Sequence, residues 1–168
     1  MSRNFNKFYN LGPISFNVPN YSIINNMDEL SFRLSKLIND NKLSKRKLSE
    51  ILNVTPSMIS AWTSGRKVPN LENSIKLADY FSCSLDFLFG LKDIDDKTNF
   101  KQVSNFNEQL KKILKEKKIS QNKLVNDTKF NFVNTNGWLN KNVSPNLSTI
   151  IDLADYLNVS LDYLAGRE

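Results

Sequence analysis

The chain is written twice. Moving the sequence along itself by 76 residues lays Trp62 on Trp138, Pro69-Asn70-Leu71 on Pro145-Asn146-Leu147, and Leu77-Ala78-Asp79-Tyr80 on Leu153-Ala154-Asp155-Tyr156. The same shift lays Ser84-Leu85-Asp86 on Ser160-Leu161-Asp162 and Gly90 on Gly166. Residues 31–90 and 107–166 share 20 identities in 60 positions without a gap. Ungapped agreement that includes tryptophan, proline and glycine is more than the likeness of two helical stretches. A period longer than a solenoid unit means two copies of a small domain. The 168 residues therefore divide into an N-terminal arm (1–27), module one (28–90), a polar linker (91–104) and module two (105–168). A module of about 60 residues is marginal alone. Packing between modules, or dimerisation, is expected to supply the remainder.

Inside a module the apolar spacing is helical throughout, so the expected fold class is all-α, with five short helices per module. Leu30, Leu34, Leu37 and Ile38 put a first amphipathic helix at 28–40, with its counterpart near 106–117. Ser44 caps a helix carrying Leu48 and, on its core side, Ile51 and Leu52; Ser120 stands at the same place in the repeat. Asn53 suits a left-handed turn. Thr55 caps a third helix with Pro56 at its first position, where the missing amide costs nothing. Asn70 and Ser84 cap the fourth and fifth. Asp79/Asp155 and Asp86/Asp162 fit helix-surface or first-turn roles. Trp62 and Trp138 read as core rather than as stacking platforms, and Cys83 as the filler of a small gap.

Composition narrows the chemistry. The chain has no histidine and one cysteine. Imidazole bases, Ser-His and Cys-His pairs and the commonest transition-metal ligand are absent. No phosphate-cradling glycine loop is present, so no catalysed reaction, no metal and no cofactor are expected. A lone cysteine makes a reducing compartment, the cytoplasm, the simpler expectation. No apolar run approaches membrane-spanning length, and the N-terminus lacks the apolar core of a signal peptide. The formal charge of +6 favours a polyanionic partner without naming one. The charge is concentrated: residues 42–67 hold Lys42, Lys45, Arg46, Lys47, Arg66 and Lys67 against Glu50 alone. The arm carries Arg3, Lys7 and the aromatics Phe5, Phe8, Tyr9, Phe16 and Tyr21. That aromatic density points to partial order by docking or dimer contact. The 24 asparagines suggest only a base-composition bias.

Helices at 44–52 and 55–63, joined by a short turn, make a helix-turn-helix. The stretch LSKRKLSEILNVTPSMISAWTSGRKVPNLENSIKLADYFSCSLDFLFG (43–90) resembles the Cro and lambda-repressor-like helix-turn-helix family, the xenobiotic response element type. Leu48, Val54, Ile59, Trp62, Gly65, Pro69, Leu77-Ala78 and the final Ser-Leu-Asp-aromatic-Leu carry the resemblance. The resemblance covers about 31–90 and recurs over 107–166. The resemblance implies that the third helix enters the major groove of double-stranded DNA while the second crosses the phosphate backbone. Lys45 stands where the family has a DNA-contacting glutamine, and Arg46 lies beside it. Thr55 sits at the mouth of the third helix, and Ser57, Ser60 and Ala61 at its exposed groove-facing positions. Arg66 and Lys67 suit phosphates. Serine is not a sharp base reader, so binding is better specified than sequence preference.

Module two departs from the pattern. Ile59 becomes Thr135, Ile51 and Leu52 become Asp127 and Thr128, the turn residue Asn53 becomes Lys129, and Gly65 becomes Lys141. Lys129 accepts a left-handed turn poorly, and Gly137 weakens the third helix. Gln121, Asn134, Asn136 and Lys141 form a second candidate DNA site; the alternative is a distorted helix and loop over 134–142, with 105–168 packing on a protein partner. Two functions stay open. The first is a bacterial or phage-type sequence-specific transcription regulator, expected as a repressor because occupancy alone blocks transcription. The second is an antirepressor or antitoxin-like protein-interaction regulator built from degenerate helix-turn-helix units. Tandem modules can imitate a two-fold dimer, and a homodimer of whole chains is the competing arrangement.

Overall fold

The computed structural model describes residues 21–95 and 100–167, with side chains from Met27 onward. Each module has five helices. Module one holds α1 (Tyr21–Asp40), α2 (Lys45–Leu52), α3 (Pro56–Thr63), α4 (Leu71–Tyr80) and α5 (Leu85–Leu88). Module two holds α6 (Phe106–Glu116), α7 (Gln121–Asp127), α8 (Phe132–Asn140), α9 (Leu147–Leu157) and α10 (Leu161–Leu164). Extended pairing among the described residues is limited to an antiparallel bridge between Gln102 and Arg167. Helix α1 begins at Tyr21, so the last part of the stretch assigned to the arm is helical. The aromatics Phe5, Phe8, Tyr9 and Phe16, with Arg3 and Lys7, lie outside the described residues.

Side chains set the helix boundaries. Every helix after α1 starts on a serine, threonine or asparagine whose oxygen accepts the amide three residues on: Ser44, Thr55, Asn70, Ser84, Asn105, Ser120, Asn131, Asn146 and Ser160. Each bond satisfies one of the amides a helix start leaves without a partner. Asparagine serves both ends, because Asn53, Asn142 and Asn158 take positive φ. Seven of the asparagines thus set helix ends and turns. At Asn53 (φ 54°) the cap closes α2 onto the turn to α3. Asn53→Ala is expected to cost about 1 kcal/mol in urea unfolding of the full chain, while Asn53→Gly is not destabilising.

The core runs through both modules. Leu34, Leu48, Ile59, Trp62 and Leu77 fill the first, and Leu110, Leu124, Trp138, Ile150 and Leu153 the second. Both tryptophans are core. Ile51, expected on the core side of α2, is 42% exposed. Its replacement by Asp127 therefore does not put a charge in the core: Asp127 is exposed and pairs with Lys123 Nζ at 2.7 Å.

Module two rebuilds both of its drifted turns. Helix α7 ends at Thr128 in an extended conformation instead of a left-handed one. The Thr128 hydroxyl donates to the Leu124 carbonyl (2.6 Å) and accepts the Phe130 amide (3.2 Å). Phe130 replaces Val54 and meets Trp138 edge-on at 5.1 Å. Lys129 is thereby spared the conformation it disfavours. After α8 the left-handed residue moves on to Asn142, one place beyond the equivalent of Gly65. Buried Asn107 holds that loop through the Trp138 carbonyl (2.6 Å) and the Val143 carbonyl (3.0 Å). Residues 132–140 form a continuous helix despite Gly137, and the distorted alternative is not seen.

The modules meet at α5 and α10. The Leu85 amide donates to Asp162 Oδ2 at 2.9 Å, and the Leu161 amide to Asp86 Oδ1 at 3.1 Å. Asp86 and Asp162 lie in the first turns of α5 and α10 as read, but they are buried and not on the surface, at 6% and 3% exposure. They cap each other's helices across the junction. Arg167 closes the contact: it pairs with Asp162, reaches Asp79 Oδ1 at 2.7 Å, and lies 4.4 Å over the Phe100 ring. The linker packs against this junction, with Asp95 Oδ1 accepting the Ser84 amide and Gln102 Nε2 donating to the Ala165 carbonyl. Cys83 is buried beside it, and burial pushes its thiol up to about 12.

Burial likewise pushes the Asp162 carboxyl up to about 6; Arg167 pulls against it and Asp86 adds to it. The ordinary aspartate value is about 3.9, so the folded chain holds a proton that the unfolded chain has released between these values. The stabilisation from this group is complete below about pH 4 and is lost as pH rises through about 6. Asp162→Asn is expected to remove that falling segment. The check is the difference between variant and parent urea midpoints across pH 4 to 7, and a constant difference would refute it.

Candidate nucleic-acid interface

Helices α2 and α3 pack at a turn fixed from both sides: Asn53 ends one helix, and Thr55 and Pro56 start the next. Helix α3 drives Ile59 and Trp62 into the core, at 0% and 2% exposure. Its outer face then carries Ser57 and Met58, with Ser60 half-buried. Thr55 Oγ1 accepts the Met58 amide at 3.3 Å and lies 2.8 Å from Ser57 Oγ. The two hydroxyls form one polar group at the start of the helix. Ala61 is a correction. Expected on the exposed face, it is buried at 9% exposure, and its carbonyl accepts the Arg66 amide (3.0 Å) and the Lys67 amide (3.2 Å). It shapes the loop and presents no methyl to a groove. Met58, which the serine-based reading passed over, is the apolar side chain on that face, 36% exposed. Its place beside Ser57, one residue before a core isoleucine, was the available signal.

The flanking cations are all on the surface: Lys42, Lys45, Arg46, Lys47, Arg66 and Lys67 are exposed. Glu50 occupies two of them, Arg46 at 3.4 Å and Lys47 at 3.7 Å, in pairs too exposed to hold either tightly. Arg66 Nε donates to Ser64 Oγ at 3.0 Å. Among the described residues, Lys42, Lys45 and Lys67 have no ion pair. The structure thus joins Lys45, Arg46, Thr55, Ser57, Ser60, Arg66 and Lys67 on one helix-turn-helix unit. Cations lie on both sides of a short polar helix face, an arrangement suited to polyanion backbone contact with a helix placed between.

The second unit is organised differently. Gln121 Nε2 donates to Thr135 Oγ1 (3.0 Å) and to the Phe132 carbonyl (3.3 Å), locking α7 onto α8. The Thr135 hydroxyl, fully buried, also donates to backbone carbonyls of its own helix. The substitution at the Ile59 position is therefore satisfied, and its partner is the glutamine expected at DNA. Asn134 is exposed, Asn136 Oδ1 accepts from Asn140 Nδ2 at 2.7 Å, and Lys141 is exposed at the end of α8. The exposed large apolar side chains there are Phe132 (54% exposed) and Val133 (78%). Val133 aligns with Ser57 in the repeat, so its outward position was readable from the alignment. Thr135→Val is expected to cost about 1 kcal/mol, because it removes one of the two acceptors of the Gln121 amide; unchanged thermal stability would show that the bond is dispensable.

Comparison with known proteins follows the same division. Residues 34–88 match the family model of a helix-turn-helix, and residues 109–167 that of a Cro/C1-type HTH DNA-binding domain. The HTH-type transcriptional activator BcrR of Enterococcus faecalis is 29% identical over 84 residues, which cover 46% of this chain and 41% of that protein. The match thus spans less than half of the relative's length. No solved structure matches the chain. Among the described residues no helix is long and apolar enough to cross a membrane.

Proposed function

The chain belongs to the Cro/C1-type helix-turn-helix family, in two tandem copies, and on that premise we propose that it is a sequence-specific repressor of transcription whose first module reads the major groove. The family and its relative support a DNA-binding transcription regulator. The finer reading rests on one observation: free surface cations, Lys45 and Lys67 foremost, flank an α3 whose outer face is polar and whose inner face is anchored by Ile59 and Trp62. In this reading Lys45, Arg46, Arg66 and Lys67 hold phosphates, and the Thr55-Ser57 hydroxyl pair, Met58 and Ser60 meet base edges. Ala61 has no part in it. Repression needs only occupancy of a promoter, and the relative described as an activator matches over too little of its length to argue otherwise.

Unbiased selection from a random duplex library tests the reading. Enrichment of a motif, with binding that weakens as salt rises, supports it. No enriched motif together with salt-insensitive binding overturns it in favour of a protein-interaction regulator. A reporter carrying the selected motif between its promoter elements is expected to lose expression when the protein is supplied, and a gain would make it an activator. Ser57→Ala with Ser60→Ala is expected to relax the motif while changing general affinity less than about threefold. An unchanged motif would remove α3 as the reader.

A further inference from the structure

The 76-residue shift maps the contact between the modules onto itself. Adding it to Leu85 and subtracting it from Asp162 exchanges the modules and turns the bond from the Leu85 amide to Asp162 into the bond from the Leu161 amide to Asp86. Two grooves beside the junction obey the same rule. Val68, Pro69 and Phe89 face Leu147 and Ile151 in one, and Ser144, Pro145 and Ala165 face Leu71 and Ile75 in the other. An operation that swaps the two halves is a two-fold, the geometry of an isologous dimer; repeats stacked by translation would meet through unlike surfaces.

We infer that this chain is a dimer folded into one polypeptide, with module two in the place of a second subunit, and that a single chain spans one DNA site made of two unlike half-sites. This rests on the DNA reading above. A two-fold relation between reading units is what a duplex accommodates, with half-sites about one helical turn apart. The half-sites are unlike because the outer faces differ at equivalent positions: Ser57, Met58 and Ser60 on α3 against Val133, Asn134 and Asn136 on α8. The junction also favours this pairing over two first modules from separate chains. Arg167 neutralises the buried Asp162 from one side only, and the residue at its place in module one is Leu91.

The test uses the full chain and the duplex enriched from the random library. Sedimentation of the complex is expected to give one chain per duplex, and the motif two dissimilar halves centred about 10 base pairs apart. Inserting five base pairs between the halves turns one to the opposite side of the duplex, and is expected to lower affinity at least tenfold. Two chains on a palindromic motif, or a loss below tenfold on insertion, overturns the single-chain dimer while leaving DNA binding intact. Failure to enrich any motif overturns the DNA reading and this inference with it.

Discussion

Arg167→Ala is expected to remove about 3–5 kcal/mol from the unfolding free energy, measured by urea titration of the full chain. The arginine side chain is 1% exposed and its partner Asp162 5% exposed, so the pair is desolvated on both sides. Truncation leaves the Asp162 carboxylate buried near the Asp86 carboxyl with only the Leu85 and Asp86 amides of the other module to hold it. It also releases Asp79, which joins α4 of module one to the end of module two. Arg167→Lys should recover part of the loss, since an ammonium neutralises one carboxylate but cannot fork between two. Asp162→Asn in the Arg167→Ala background should also recover part, because it removes the stranded charge. A cycle of these variants therefore separates the arginine's charge from its packing. A loss of less than about 1 kcal/mol would mean that the junction does not depend on the ion pair.

Periodicity and capping residues made the five-helix plan legible in each module, because Ser, Thr and Asn at helix starts act locally and need no tertiary context. Ile59 and Trp62 were legible as core because they lie three apart on one face of α3. The junction was not. Asp86 and Asp162 read as ordinary first-turn acids because nothing local distinguishes an aspartate facing solvent from one facing another helix start. Their meaning depends on two segments 76 residues apart. Ala61 was misplaced because α3 is only eight residues long, and a shift of one position turns its surface by about 100°. The inward partners of Gln121 escaped notice for a different reason. The family pattern assigns that glutamine to DNA, but Thr135 in place of an isoleucine puts an acceptor inside the unit and draws the amide inward. A substitution at a buried position thus gives a residue nearer the surface an internal partner.

Lys45→Ala combined with Arg66→Ala is expected to lower affinity for the selected duplex by about 10–100-fold near 0.1 M salt. Each phosphate contact contributes about 0.9 to the slope of log affinity against log salt, so the double variant should lose roughly two contacts' worth of that slope. Neither side chain is in an ion pair, and Arg66 makes one hydrogen bond, to exposed Ser64. Thermal stability should therefore change little, which separates lost binding from lost folding. The enriched sequence should stay the same, because phosphate contacts position a protein without reading bases. A variant with full affinity and an unchanged salt slope would move the binding face away from α2 and α3. A variant with unchanged slope but an altered motif would put these cations at base edges instead.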